Sequence, residues 1–437
     1  MNHWLDQFFR LSEHNTTIRR EVVAGLTTFF TMAYIVAVNP AILKTAGMPL
    51  EASVTATTLT AIFGTLLMGL YAKRPFAIAP YMGENAFIAF TVVHVLGYSW
   101  QSALGAVLLA GIIFVVLTIF RLRKWMVDAI PLTLRYSYAV GIGLFLTFIG
   151  LNQTGIVTLG FPGAPVRPGH LTSASVLLAI FGFLVMTVLS IRRFPAAILT
   201  GVLLTAGISF LTRVAPAPAA WISRPPSIAP VLLKFDLHSL FSWGFFPVVL
   251  TIFVIAFVDT MGTLIGVSAR AGFLDKDGNL PNIERPMMAD ALATTFAAVI
   301  GTTTSGAFIE SATGVEAGGR TGLTAVITAI CFGGTLFFAP FISAIPPIAY
   351  GPALVFVGLL MFAPITRIPF DDLTELVPAF GVIALMAFTY NVGVGMTAGF
   401  VLYPFCKLVS GRLAEVKPAL WVLTALSLLF FVFYPYT

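Results

Sequence analysis

The stretch Pro75–Val95 reads PFAIAPYMGENAFIAFTVVHV, and how it is read decides the fold. It is apolar enough to sit in a lipid bilayer, yet Pro75, Pro80 and Gly83 interrupt its first half, and Glu84 and Asn85 stand at its middle. Backbone that leaves the helical ladder inside hydrocarbon finds no water to bond, so such a segment must face protein or a wet cavity. The expected form is an extended piece followed by a short helix. A second stretch has the same character: Gly301–Gly322, GTTTSGAFIESATGVEAGGRTG, is rich in Gly, Ser and Thr and carries Glu310 near its break.

The rest of the chain supplies the frame. Of 437 residues, 58% are hydrophobic and 10% charged, and the mean hydropathy of +0.96 lies far above that of soluble domains. Apolar runs fall near 21–43, 52–72, 76–95, 101–120, 134–156, 172–191 and 195–212. A second series falls near 245–268, 287–301, 303–318, 320–340, 349–364, 374–391 and 393–409. The two broken stretches are the third members of the two series, spans three and ten. A last apolar stretch, Pro418–Tyr434, lies beyond both.

Lys and Arg mark every second loop: Arg10, Arg19 and Arg20 before span one, Lys73 and Arg74 after span two, Arg121, Arg123 and Lys124 after span four, Arg192 and Arg193 after span six. Arg270, Lys276 and Arg285 follow span eight, Arg367 span twelve, and Lys407, Arg412 and Lys417 span fourteen. This is the pattern of a multi-pass membrane protein with a cytoplasmic N-terminus. The exceptions, Lys44, Arg167, Arg213, Arg224 and Lys234, fall in outside loops. An odd number of spans per half makes the second half enter the membrane from the opposite side. Such an inverted repeat is a common transporter design, with the substrate site where broken helices meet.

The intramembrane acids are then the functional candidates: Glu84, Asp259 and Glu310, with Glu316 nearer an end. An ionised side chain at the bilayer centre costs roughly 2.5–3.5 kcal/mol on insertion scales. Each carboxylate could simply cap a half helix, and for Glu316, four residues before Arg320, a cap or an i,i+4 pair is the expectation. Asp259 and Glu310 have no Lys or Arg close in sequence, and Gly262, Thr263, Gly306, Ala307, Ser311 and Ala312 are expected to leave room beside them. Two acids in a poorly hydrated site cannot both be charged cheaply, which makes a proton the economical coupling ion. The hydroxyls of Thr302, Thr303, Thr304 and Ser305 keep sodium as the alternative.

Other chemistry finds no support in the sequence. There is no phosphate loop, zinc pair or nucleophile elbow, so neither an enzyme nor a cofactor is expected. Cys331 and Cys406 have no metal or redox spacing, and LDKDGNLPN, Leu274–Asn282, has its glycine out of calcium-loop register. His94 and His238 read as interfacial. The net charge of +6 reports topology, so no nucleic-acid partner is expected. The charged start of the chain does not read as a cleavable signal peptide.

Four stretches in order, REVVAGLTTFFTMAYIVAVNPAIL (Arg20–Leu43), APYMGENAFIAF (Ala79–Phe90), FVDTMGTLIGV (Phe257–Val267) and IESATGVEAGGRTGLTAV (Ile309–Val326), resemble the azaguanine-type purine permeases. These are a branch of the nucleobase:cation symporters related to xanthine and uracil permeases. The resemblance implies an all-α polytopic membrane protein of fourteen transmembrane segments, arranged as a 7+7 inverted repeat with short strands in segments three and ten. It also implies a core domain, 21–121 and 244–340, that moves against a gate domain, 122–213 and 341–410. A cytoplasmic segment 1–20, an extracellular loop 214–243 and a C-terminal hydrophobic segment 411–437 complete the plan.

By position, Glu310 resembles the carboxylate that grips the base, Asp259 the acid that binds substrate or manages the proton, and Phe308 an aromatic neighbour of the base; Asp259 and Glu310 are the proton-coupling candidates. Asn85, Thr263 and Ser311 join the candidate substrate contacts, Thr263 standing where some uracil permeases have histidine. Glu84 departs from the family pattern, in which that place is apolar or small, and is a further candidate contact. The expected function is proton-coupled import of purine bases (guanine, hypoxanthine or adenine) across the inner or plasma membrane by alternating access. A homodimer through the gate domains is implied, with lipid as the surrounding partner. The alternatives are xanthine, uric acid or another small heterocycle read by Glu84, and an anion channel or exchanger of the same fold. Acidic linings argue against the last.

Overall fold

A computed structural model describes residues 2–122, 130–161, 164–275 and 280–434; Arg123 and Lys124 of one basic loop, and Lys276 and Gly278 of the turn after span eight, lie outside the described residues. The first series of segments comprises Ile18–Met32 with Ile35–Thr45, Leu50–Leu70, Ile78–Pro80 with Met82–Ala86 and Phe87–Val95, Trp100–Ile119, Leu132–Gln153, Ala174–Ile191 and Ala197–Leu211. The second comprises Phe246–Ala271, Glu284–Ile300, Ser305–Ala307 with Ser311–Glu316, Gly322–Thr335, Pro347–Phe362, Leu373–Phe388 and Val392–Val409. The protein is a 7+7 inverted repeat of membrane helices. Among the described residues nine helices are long and apolar enough to cross a bilayer unaided. The remaining segments are the broken ones and shorter apolar helices.

Local chemistry sets the helix starts. Thr17, Ser99, Ser173, Asp372 and Asn391 each accept a bond on the side chain from a backbone N–H of the first turn, and supply what the helix itself cannot. Span one, read from sequence as one run, is two helices. Pro40 lacks an N–H, and before it the ladder tightens, Val36 N bonding Ala33 O and Ala37 N bonding Tyr34 O. One further feature was not expected from the sequence: Val157–Phe161 and Ala164–Pro168 form an antiparallel hairpin after span five. The C-terminal hydrophobic segment forms a helix, Pro418–Phe433, packed on Val392–Val409 and Phe246–Ala271.

Two packing groups appear. Spans one and two pack on span eleven, and span nine packs on spans two and four. Span five packs along spans twelve and thirteen, span six on spans seven and twelve, and span thirteen on span fourteen. The extensive contact between spans five and twelve rests on two glycine pairs. A Cβ on Gly143 or Gly358, or on Gly150 or Gly351, would meet the carbonyl of the facing glycine. Small residues let membrane helices approach to this distance, where packing replaces the missing hydrophobic drive.

Candidate functional site

The two broken spans meet. Ile78–Pro80 pairs antiparallel with Ser305–Ala307, with Ile78 opposite Ala307, Ala79 opposite Gly306 and Pro80 opposite Ser305. Tyr81 N to Thr304 O at 3.0 Å and Phe308 N to Ala77 O at 2.9 Å extend the ladder at both ends. Each strand has one outer edge, and in a membrane that edge needs partners. The repeat solves this twice in the same way. Thr65 of span two donates its hydroxyl to Ile78 O and accepts from Ile78 N, at 3.0 and 2.9 Å. Thr294 of span nine does the same to Ser305, at 2.7 and 3.2 Å.

The candidate residues fall around this crossing. Glu310 is half-buried at the start of the half helix Ser311–Glu316, and its Oε1 accepts from the Tyr34 hydroxyl at 2.6 Å. The break in span one places Tyr34 there. Phe308 is buried, and its ring lies parallel to that of Tyr81, 6° between planes and 6.2 Å between centroids. The Tyr81 hydroxyl is 3.1 Å from Thr260 Oγ1, which donates to both oxygens of Asp290 at 3.0 and 2.9 Å. Asp259, next in chain to Thr260, is half-buried, as is Thr263 one turn on. Beyond them, at Gly262 and Gly266, the space where a side chain would begin is open. Span eight therefore presents Asp259, Thr263 and these glycines to an accessible space.

Two candidates are committed elsewhere. Asn85 is fully buried and its amide donates to Asn39 Oδ1 at 2.6 Å, while Asn39 donates to Thr57 and Thr302. Buried Ser311 accepts the backbone N–H of Ala77 at 3.0 Å and thereby fastens the arm of span three to that of span ten. The room expected beside Gly306 is absent: a Cβ there would collide with the Tyr81 hydroxyl and Asp290. Thr302 is bonded by Asn39, and Ser305 Oγ donates to Thr303 O. Glu316 is exposed, and Arg320 Nη1 donates to the carbonyls of Val315 and Gly319.

Glu84 lies in the half helix after Tyr81, just before the π-helical turns Phe87–Val95. It is fully buried, and span eight, which carries Asp259, packs on its half helix. Sequence reasoning missed Tyr34, Tyr81 and Asp290. Asp290 had a visible signal, an acid inside the apolar run of span nine. The two tyrosines had none.

These features define a membrane transporter and not an enzyme: two inverted halves, half-helical arms crossing between them, and acidic side chains at the crossing. The chain belongs to the Permease family (Xan_ur_permease), whose model matches residues 19–402. It is 40% identical to the adenine permease AdeP of Escherichia coli over 98% of this chain and 96% of that one. It is 41% identical to the guanine/hypoxanthine permease PbuO of Bacillus subtilis, over 97% and 99%. These relatives are purine permeases, the branch that the sequence resemblance indicated. The transmembrane domain of the cyanobacterial bicarbonate transporter BicA shares the fold, with a TM-score of 0.64 at 16% identity over 87% of this chain and 96% of that one. SLC26A9 does so with a TM-score of 0.66 at 12% identity, over 93% and 67%.

Proposed function

We propose that this protein imports purine nucleobases with protons, by alternating access of a core domain, 21–121 and 244–340, against a gate domain, 122–213 and 341–410. The observation that carries the reading is Glu310. It is a half-buried carboxylate at the tip of the second arm, steadied on one oxygen by Tyr34, two residues from a ring stacked on Tyr81. A carboxylate oxygen has acceptor capacity for more than one donor, so the bond from Tyr34 leaves Glu310 able to take a further pair. Guanine offers a ring N–H and an amino group side by side, the donor pair that binds a carboxylate through two parallel hydrogen bonds. Phe308 and Tyr81 give the flat base an apolar face, and Asp259 stands at the accessible edge as the acid that meets the base or its proton. Adenine and guanine/hypoxanthine permeases among the relatives support the substrate class.

The two packing groups support a core and a gate. They meet at Tyr390, whose ring packs against Phe90 of span three and Phe145 and Phe148 of span five, and whose carbonyl accepts from Thr91 at 2.7 Å. With the N-terminus placed in the cytoplasm of an inner-membrane protein, this cluster closes the outer side and the open stripe of span eight faces inward. A homodimer through the gate helices belongs to the same proposal, and native mass spectrometry reads it.

Uptake of labelled guanine, hypoxanthine and adenine into cells expressing the protein tests the reading. Saturable uptake of at least one base is expected, abolished by Glu310→Gln and by a protonophore, and unaffected by removing sodium. Absence of saturable uptake, or uptake unchanged in Glu310→Gln, refutes it.

A further inference from the structure

Among the described residues most buried charges are satisfied. Glu21 accepts from the backbone N–H groups of Arg320, Thr321 and Thr324, and Lys407 is paired with Glu375 and Glu415 at 2.7 and 2.8 Å. Glu84 is the contrast. Its side chain has no solvent exposure, and neither carboxylate oxygen has a hydrogen-bond partner elsewhere among the described residues. A charged carboxylate left so would carry its full desolvation cost.

The neighbours do not relieve it. Span eight, which packs on the half helix of Glu84, carries Asp259, another acid, and so brings no cation to it. The other helices packed on its half helix, Ile35–Thr45 and Leu132–Gln153, bring Asn39 and Ile142 to that region. Their ionisable groups are engaged or lie outward. Tyr138 Oη donates to Met396 O, Arg135 Nε to Ile130 O, Tyr136 lies under the Arg367 guanidinium, and Lys44 is exposed. Accessibility separates the acids: Asp259 and Glu310 are half-buried, Glu84 is enclosed. A base that reaches Asp259 is still excluded from the enclosed Glu84, so a proton is the species small enough for the two acids to share.

We propose that Glu84 is the coupling carboxyl of this transporter, a site behind the base that takes a proton from Asp259 when the base arrives and returns it when the base leaves. In each direction one O–H bond breaks at one carboxyl and one forms at the other, the negative charge moves the opposite way, and no further reactant is needed. The inference rests on the reading of proton-coupled base import, and it makes Asp259 the relay between Glu84 and the accessible space.

The test uses the purified full chain, in detergent for binding and in liposomes for transport, with labelled adenine and guanine and a trapped pH dye. For wild type, counterflow at equal pH tests the transport reading by itself. A gradient of one pH unit should then drive about tenfold accumulation at one proton per base. Glu84→Gln is expected to keep base binding within about threefold of wild type and to keep counterflow, while accumulation falls to the equilibrium level and the dye signal disappears. Glu84→Leu, which has no hydrogen-bonding group, should behave the same. Three results overturn the proposal: gradient-driven accumulation retained in Glu84→Gln, base binding lost in both variants while thermal unfolding is unchanged, or accumulation restored in wild type only by sodium. Absent wild-type counterflow refutes the transport reading instead.

Discussion

Tyr34 and Glu310 stand 276 residues apart in the chain and share a hydrogen bond of 2.6 Å. One residue comes from the break in the first span and the other from the start of the second half helix, so the bond ties the two halves at the tip of the candidate site. A phenol donating to a carboxylate is a charge-assisted bond, worth about 1.5–3 kcal/mol against leaving the acceptor unpaired.

Removing that donor should loosen Glu310 without displacing it. Tyr34→Phe is expected to weaken base binding about tenfold, with the fold intact, as measured by equilibrium binding on purified protein. Unchanged affinity would show that Glu310 needs no support from span one.

The strand edges give a second expectation. Thr65→Val and Thr294→Val keep the volume but leave the backbone groups of Ile78 or Ser305 unpaired in a buried place. Each should lower stability by about 1–3 kcal/mol, read as a drop in thermal unfolding temperature. Because the two threonines serve corresponding strands of the repeat, the two drops should be similar.

Two glycines near the site should respond oppositely. A methyl group at Gly306 collides with the Tyr81 hydroxyl and Asp290, so Gly306→Ala should cost about 1–3 kcal/mol of stability and disturb the crossing. Gly262→Ala enters open space and should leave unfolding unchanged. Unfolding curves of the two purified variants separate these outcomes.

Beyond span fourteen, Arg412 bonds Asp372 at 2.6 Å and Glu415 at 2.6 Å. Arg412 holds Asp372 well below the usual carboxylate range and lowers Glu415 as well, with Lys407 adding to the latter. Because both folded values are depressed, this stabilisation is complete above about pH 4–5, where the free groups are ionised, and is lost as pH falls below that. Both carboxylates are partly exposed, so the effect is small and screened by salt. Arg412→Gln should flatten the fall in unfolding temperature between about pH 5 and pH 3 at low salt.

The sequence was enough for the segment plan, because the controlling physics is local along the chain. A bilayer of about 30 Å needs about 20 apolar residues per helix, and breaks such as Pro80 and Gly301–Gly322 show where the helical ladder fails in spans three and ten, though not in span one. Glu84, Asp259 and Glu310 were equally legible, since an acid in an apolar run stands out. Asp290 met the same criterion and was missed close to the start of a span. Which acid has a partner was not legible. Tyr34 on Glu310, Thr260 on Asp290 and the two threonines on the strand edges join residues from separate segments, and no local pattern encodes such pairings. Only the tertiary structure decided that Glu310 is held and half-open while Glu84 is enclosed without a partner. The cost of a buried charge depends on what surrounds it in space, and the chain's order does not contain that surrounding.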